Sequence, residues 1–401
     1  MKSAVAVTQE LDDAALAARE LAGAVSAKLP SGLLTAGRSL GILFCDADLD
    51  GAAVTAELKA LLGLDVVGMT TLAEFAPQGR LELSAVLTVL CGEDCRFSVA
   101  VSEELRSGGH ERKITDLYRK ILPEKPSAEA GGLVMAFCPC NMPFAGDSYA
   151  DLLSDLAPAL PLMGGVASDD YDYERARVFL SGREYKDSMA AVGIFGVRPV
   201  FAMRHVTSRF AERIRRVSRA EGNVVYRVGE ETFVDYLEGF GLNTDVPDPL
   251  LAFTSYPMML TRNESGETPL MRHIASLNRT DGSGVFLGNV PVGAQANICM
   301  ISKENLAEAC RASMRSLLEA AREQNEKTGY AYSTIFCISC CGRAIILGRD
   351  ADAEGQILAE LLPGGVTLSG AYCLGELCPT QWEDGRVSNR FHNCSITFCM
   401  L

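Results

Sequence analysis

Four short apolar runs in this chain end alike, at Phe44-Cys45, Phe137-Cys138, Phe253-Thr254 and Phe336-Cys337. Each is followed, after roughly 25 to 35 residues, by an apolar pair and a glycine: Gly68, Gly164, Gly288 and Gly370. Two of these glycines open a longer match, Gly68-x-x-Thr71-x-x-Glu74 and Gly370-x-x-Cys373-x-x-Glu376. Self-similarity at so long a period means tandem structural units. The pattern predicts two internally duplicated domains of two units each, every unit running strand, turn, helix, strand, strand. Strands alternating with helices place the fold in the α/β class, sheets covered by helices, with α+β as the alternative.

Periodicity fills in the elements. A helix is expected over residues 9–29, ended by Pro30, so residues 1–34 read as an N-terminal helix ahead of domains at 35–228 and 229–401. Leu40 to Phe44, Leu133 to Phe137, Leu250 to Phe253 and Tyr332 to Cys337 read as the first strands of the four units. Helices are expected at Ala52–Leu62, His110–Leu122, Asp147–Leu156, Glu230–Phe240, Lys303–Gln324 and Ala351–Leu362. Leu83–Cys91 with Phe97–Val101, and Val178–Ser181 with Met189–Phe195, are expected as paired strands. Ala344–Leu347 reads as a short strand, and Pro123–Gly132 as a linker.

Charge and hydropathy narrow the partners. The formal net charge is −14, which argues against nucleic acid and anionic membranes, both of which need basic surface. No apolar stretch approaches the ~18 residues of a membrane span, and Glu10, Asp12 and Asp13 interrupt any signal peptide. The 14 cysteines then read as reduced thiols of a cytoplasmic protein. Cys337-x-x-Cys340 has redox or zinc spacing, but a second clean pair is missing. Cysteine also recurs at equivalent strand ends, with Thr254 in its place once, which fits a small buried side chain; no metal is expected. No nucleophile elbow, phosphate loop or dinucleotide fingerprint is present. A Cys-His nucleophile such as Cys340 with His392 stays open as an enzymatic alternative.

In sheets covered by helices, ligands sit beyond the strand ends. Thr70, Glu74, Asp169, Arg343, Tyr372, Glu376 and Asn393 fall at such ends and are the expected ligand-binding residues. A pocket with carboxylates, an arginine and a tyrosine suits a small zwitterion such as an amino acid, with Arg343 on its anionic group and Glu376 on its cationic or hydroxyl group. Helix capping, turn closure or an Arg343–Glu376 ion pair are the structural alternatives.

Cys340-x-Gly342-Arg343, Gly370-Ala371-Tyr372-Cys373-Leu374-Gly375-Glu376 and Phe391-His392-Asn393-Cys394-Ser395 resemble the FIST C domain. Gly68-x-Thr70-Thr71-x-Ala73-Glu74 and Gly164-Gly165-x-Ala167-x-Asp169-Asp170 resemble the FIST N domain. Together these motifs span about residues 35 to 395. The resemblance implies a sensory module of bacterial signal transduction that binds small ligands, amino acids among them, without enzymatic output. Some members of the family bind haem and sense nitric oxide, so a haem cofactor is the alternative. Cys394 stands where the family often has histidine, and Ala371 where it often has phenylalanine. The motifs reach both ends of the chain, so the expected output partner, such as a kinase or cyclase, is a separate protein.

Overall fold

The computed structural model describes residues 1–123, 131–206, 214–261, 268–381 and 387–401. Its architecture is α/β, as expected, but the repeat is threefold. The first unit runs β1 (Lys2–Thr8), α1 (Ala14–Lys28), β2 (Ser39–Cys45), α2 (Gly51–Leu62), β3 (Asp65–Thr70), β4 (Glu74–Ala76), β5 (Gly79–Leu81) and β6 (Ala85–Cys91). The second repeats that order: β7 (Arg96–Val101), α3 (His110–Ile121), β8 (Gly132–Cys138), α4 (Asp147–Leu156), β9 (Leu162–Val166), β10 (Val178–Leu180), β11 (Arg183–Tyr185) and β12 (Ala190–Phe195).

The third unit begins with β13 (Val200–Arg204) and is then interrupted. The insertion comprises β14 (Arg215–Glu221), β15 (Val224–Val228), β16 (Glu231–Thr232), α5 (Phe233–Glu238), α6 (Pro249–Ala252), β17 (Met258–Thr261), β18 (Leu270–Arg272), β19 (Ile274–Asn278), β20 (Ser283–Phe286) and β21 (Gln295–Ile298). Its strands form a sheet of their own over a separate apolar core that includes Val217, Phe233, Tyr236 and Phe286. The third unit then resumes with α7 (Lys303–Thr328), β22 (Thr334–Cys340), α8 (Cys341–Leu347), α9 (Ala353–Leu361), β23 (Thr367–Cys373), β24 (Glu376–Gln381), β25 (Val387–His392) and β26 (Ile396–Met400).

Each unit centres on one parallel pair: β2 with β3, β8 with β9, and β22 with β23. Covered on both faces, these strands are near-continuous apolar runs; every residue of β2, β8 and β22 is buried. A repeat glycine sits at the same register in each pair, Gly68 beside Leu43, Gly164 beside Ala136 and Gly370 beside Cys337. A Cβ there would lie 2.0, 1.9 and 1.9 Å from the neighbouring carbonyl oxygen, so only glycine is accommodated.

The hairpins are exchanged in a cycle. β4–β5 of the first unit extends the sheet of the third, β10–β11 of the second extends that of the first, and β24–β25 of the third extends that of the second. At the hub the parallel strands of all three units meet. Ser168 N donates to Thr70 O (3.1 Å), Leu374 N to Val166 O (3.1 Å) and Leu72 N to Tyr372 O (3.2 Å). Donor and acceptor lie four and two residues past the repeat glycine in every case, a closed ring of main-chain hydrogen bonds.

Several expectations need correction. The unit expected from Leu250 to Val290 is absent: Leu250 to Ala252 belong to α6 of the insertion, where Asp248 caps the helix and Pro249 opens it. Ala344–Leu347 lies in α8, because a short apolar run does not by itself separate helix from strand. β6 pairs with β1 and β2 while β7 joins β12, and β10 pairs with β3 and β11 while β12 joins β8 and β7. Residues 1–34 are not a separate helix, since β1 precedes α1 and pairs along its whole length with β6. A boundary at 228/229 falls inside the inserted sheet, between the paired β15 and β16. Most of the expected 123–132 linker lies outside the described residues.

Candidate functional site

Three carboxyl ends of parallel strand pairs are available for a ligand. The first is filled: Phe179 packs on Gly51, where a Cβ would fall 2.4 Å from its ring, and Arg175 pairs with Asp48 and Asp170 above it. The third is filled too. α8 starts at Cys341 with no intervening loop, and Gly342 lies against the His273 ring of the insertion. The second stays open, because a proline-containing loop, Pro139 to Ala145, separates β8 from α4.

The opening is an apolar crevice of about 320 Å³. Met142, Phe144 and Tyr149 of the second unit wall one side, Phe286 and Leu287 of the insertion the other, and Val166 and Leu374 of the hub ring close the floor. A polar chamber of about 240 Å³ adjoins it and shares Cys140, Asn141 and Tyr173. Its walls carry two cations and two anions: Arg106 with Asp187 (3.0 Å) and Lys186 with Glu174 (2.6 Å). Asn141, Tyr171 and Tyr173 have φ of 53°, 71° and 62°. Left-handed backbone at non-glycine residues is uncommon, and here two such residues, Asn141 and Tyr173, line both chambers, with Tyr171 two residues before Tyr173.

Asp169 organises that mouth. Its Oδ1 accepts from Tyr173 N (3.0 Å) and its Oδ2 from Arg175 N (3.0 Å) and Ala176 N (3.2 Å). Desolvation raises its pKa above the ordinary carboxylate range. His110 stacks on Phe144 with ring centroids 3.9 Å apart and stiffens the outer wall. Burial pushes the Cys140 thiol up to about 12, so while it stays buried it carries almost no thiolate at neutral pH. All 14 cysteines are buried and free.

None of the seven residues expected at the site is among those lining the crevice or its chamber; Asp169 comes nearest, through the turn it holds at Tyr173 and Ala176. Arg343 is fully buried and its guanidinium holds Glu354 at 2.5 Å; Tyr372 Oη and Ser339 Oγ donate to the same carboxylate at 2.6 and 2.9 Å. This is an internal network of the third unit, and the arginine's partner is Glu354 rather than Glu376. Thr70 contributes its carbonyl to the hub, and its hydroxyl accepts from Arg177 N. Asn393 accepts from His273 N and donates to His392 O. Glu74 takes hydroxyl hydrogen bonds from Thr71 (2.6 Å) and Ser84 (2.5 Å), and Glu376 takes one from Ser395 (2.6 Å). Burial raises both carboxyls to about 8, so each is mainly protonated at neutral pH.

The sequence signal for the crevice is the turn Cys138-Pro139-Cys140-Asn141-Met142-Pro143, which the strand-end rule singles out. Arg106, Tyr173, Lys186 and Phe391 carry no such signal; the first three arrive from loops and Phe391 from the exchanged hairpin.

A family model described as the FIST N domain matches residues 39–231, and one described as the FIST C domain matches residues 231–379. No curated protein matches the chain. Among solved structures, cyanuric acid hydrolase from A. caulinodans aligns over 100% of this chain and 99% of its own, at 8% identity and a TM-score of 0.41. Phosphoribosylformylglycinamidine synthase II from Thermotoga maritima aligns over 99% of this chain and 71% of its own, at 11% identity and a TM-score of 0.21.

Proposed function

Because the chain belongs to the FIST family, with FIST N followed by FIST C, we propose that it is a sensory protein of bacterial signal transduction whose ligand binds in the crevice at the ends of β8 and β9. The observation that carries this reading is that, among the described residues, one strand end of three equivalent ones is open. The ligand class is an amino acid or similar small metabolite. An apolar side chain fits between Phe144, Tyr149 and Phe286, while its carboxylate and ammonium exchange with the Arg106–Asp187 and Lys186–Glu174 pairs of the adjoining chamber. The reading is of a binding protein, not an enzyme, that hands its signal to a separate cytoplasmic protein such as a kinase or cyclase.

A thermal-shift screen of amino acids and related metabolites tests it, since a ligand specific to the folded state raises the midpoint. Arg106→Ala should then weaken the compound found by roughly 10- to 150-fold, the worth of one charged hydrogen bond. Equal affinity in the variant would put the head group elsewhere.

A haem cofactor is a second reading, and one observation favours it. A groove of about 920 Å³ between β13 and α7 is lined by His205 together with Met203 and Met259. Among the described residues neither ring nitrogen of His205 has a partner, and burial holds the ring neutral, its pKa lowered to about 3. A neutral imidazole with a free nitrogen is the residue that would hold haem iron here. Bound haem supplies an iron centre for a diatomic gas. A Soret band in purified protein that disappears in His205→Ala would support this reading, and no band after haem titration would end it.

A further inference from the structure

We propose that Arg272 is the positioning residue of the crevice: it holds the inserted sheet shut against the second unit, and the crevice opens where that hold is released. The proposal rests on the crevice reading for its meaning but not for its test.

Most of the insertion packs around a core of its own, which makes it the unit that would shift. It faces the rest of the molecule in two different ways. Toward the third unit the contact is largely apolar, with Met259, Met271 and Cys299 packed with Leu306 and Ala309 of α7, and His273 N adds a long hydrogen bond to Asn393 (3.4 Å). Apolar contact is non-directional and tolerates small sliding. Toward the second unit, the insertion forms one wall of the crevice, and among the described residues a polar knot lies beside it.

Arg272 is that knot and is fully buried. Its Nη2 lies 2.6 Å from Asp147 Oδ1 at the start of α4. Its Nε donates to Asn289 O (3.0 Å) and its Nη1 to Phe391 O (3.0 Å). Asp147 Oδ2 in turn accepts from Asn289 N (2.7 Å), and Gly146 N donates to Leu287 O (3.3 Å). One side chain thus ties the second unit, the insertion and the exchanged hairpin. Gly146, Leu287 and Phe391 also line the crevice, so the knot and the crevice share part of one wall.

Gly288, the glycine of the repeat that the fold does not contain, has its reason here. A Cβ on it would lie 2.7 Å from both Arg272 Nε and Asp147 Oδ2. A charged knot of this kind is either made or broken, because a half-broken state strands a buried charge. On this proposal the insertion exchanges between the closed position seen here and an open one, and a ligand that bridges its walls favours the closed one.

The experiment uses the full chain without ligand. N-ethylmaleimide is added and modification is followed at each cysteine by mass spectrometry. Cys140 lines the crevice at 6% exposure, and Cys91, in the first unit, is the internal reference. In Arg272→Lys and in Gly288→Ala, Cys140 should react at least about tenfold faster while Cys91 keeps its parent rate, the signature of local rather than global opening. Both cysteines accelerating together, or neither changing, would overturn the proposal. Should the variants fail to fold, hydrogen exchange on the unmutated chain decides. The amides of Gly146 and Asn289 should exchange as one group, ahead of Val225 in the insertion core. Exchange of all three only through global unfolding refutes the hinge. A failed ligand screen leaves these rates untouched, so the two readings fail separately.

Discussion

Glu74 and Glu376 show how far burial overrides a side chain's usual character. Both occupy the sixth position past a repeat glycine, and both sit among hydroxyl donors with no solvent exposure. Folded, each holds its proton up to about pH 8; unfolded, a glutamic acid releases it near about 4.3. The folded state binds more protons across that window, so their contribution is complete below about pH 4.3 and falls as pH rises toward 8. Glu74→Gln mimics the protonated form. Its thermal midpoint should exceed the parent's at pH 8.5 and match it closely at pH 5; a variant less stable at both would show that the carboxyl is ionised. Arg343 is the opposite case. Arg343→Met leaves Glu354 buried without its cation and should cost about 3–5 kcal/mol in urea unfolding. A loss of ligand affinity with unchanged stability would return Arg343 to the binding site.

At the scale of elements, local chemistry was readable and pairing was not. α2 is announced by Asp50, whose carboxylate caps Ala53 N, and closed by Gly63 at φ 70°. α7 opens with a Ser302–Asn305 capping box and ends at Gly329, also at φ 70°. Three of the four repeat glycines sit where the pattern places them, beside a parallel neighbour. The exchange of hairpins left no local trace, because β4, β10 and β24 find their partners in another unit and short strands carry no address. That is also why Arg343, Tyr372 and Glu376, adjacent by strand-end logic, do not line a common pocket. The partner of Arg343 came from α9, whose glutamate looked like any helical residue. The glycines invite a direct check. Gly164→Ala places a methyl 1.9 Å from Ala136 O at φ 149° and should destabilise by roughly 4 kcal/mol or more. Gly364→Ala, with nothing within 4 Å of the new carbon, should change the midpoint little. Equal effects would remove the close-approach argument.

Over the whole molecule the cyclic exchange makes the three units interdependent. The family's two halves meet at residue 231, inside the inserted sheet, where β15 pairs with β16. A fragment of residues 39–231 lacks β1 and the β24–β25 hairpin, leaving two sheets with unpaired interior edges. It should show no cooperative urea transition by circular dichroism, whereas a sharp transition would show that the half is a domain in its own right. The same architecture leaves one strand end open out of three, and that asymmetry is the basis of the functional reading. The most direct test is a side-by-side thermal-shift screen of the parent chain and Met142→Trp, which fills the crevice from the β8–α4 loop without touching the hub. An amino acid or related metabolite that raises the midpoint of the parent should leave that of the variant unmoved. A compound that raises both midpoints equally would contradict the crevice as the binding site.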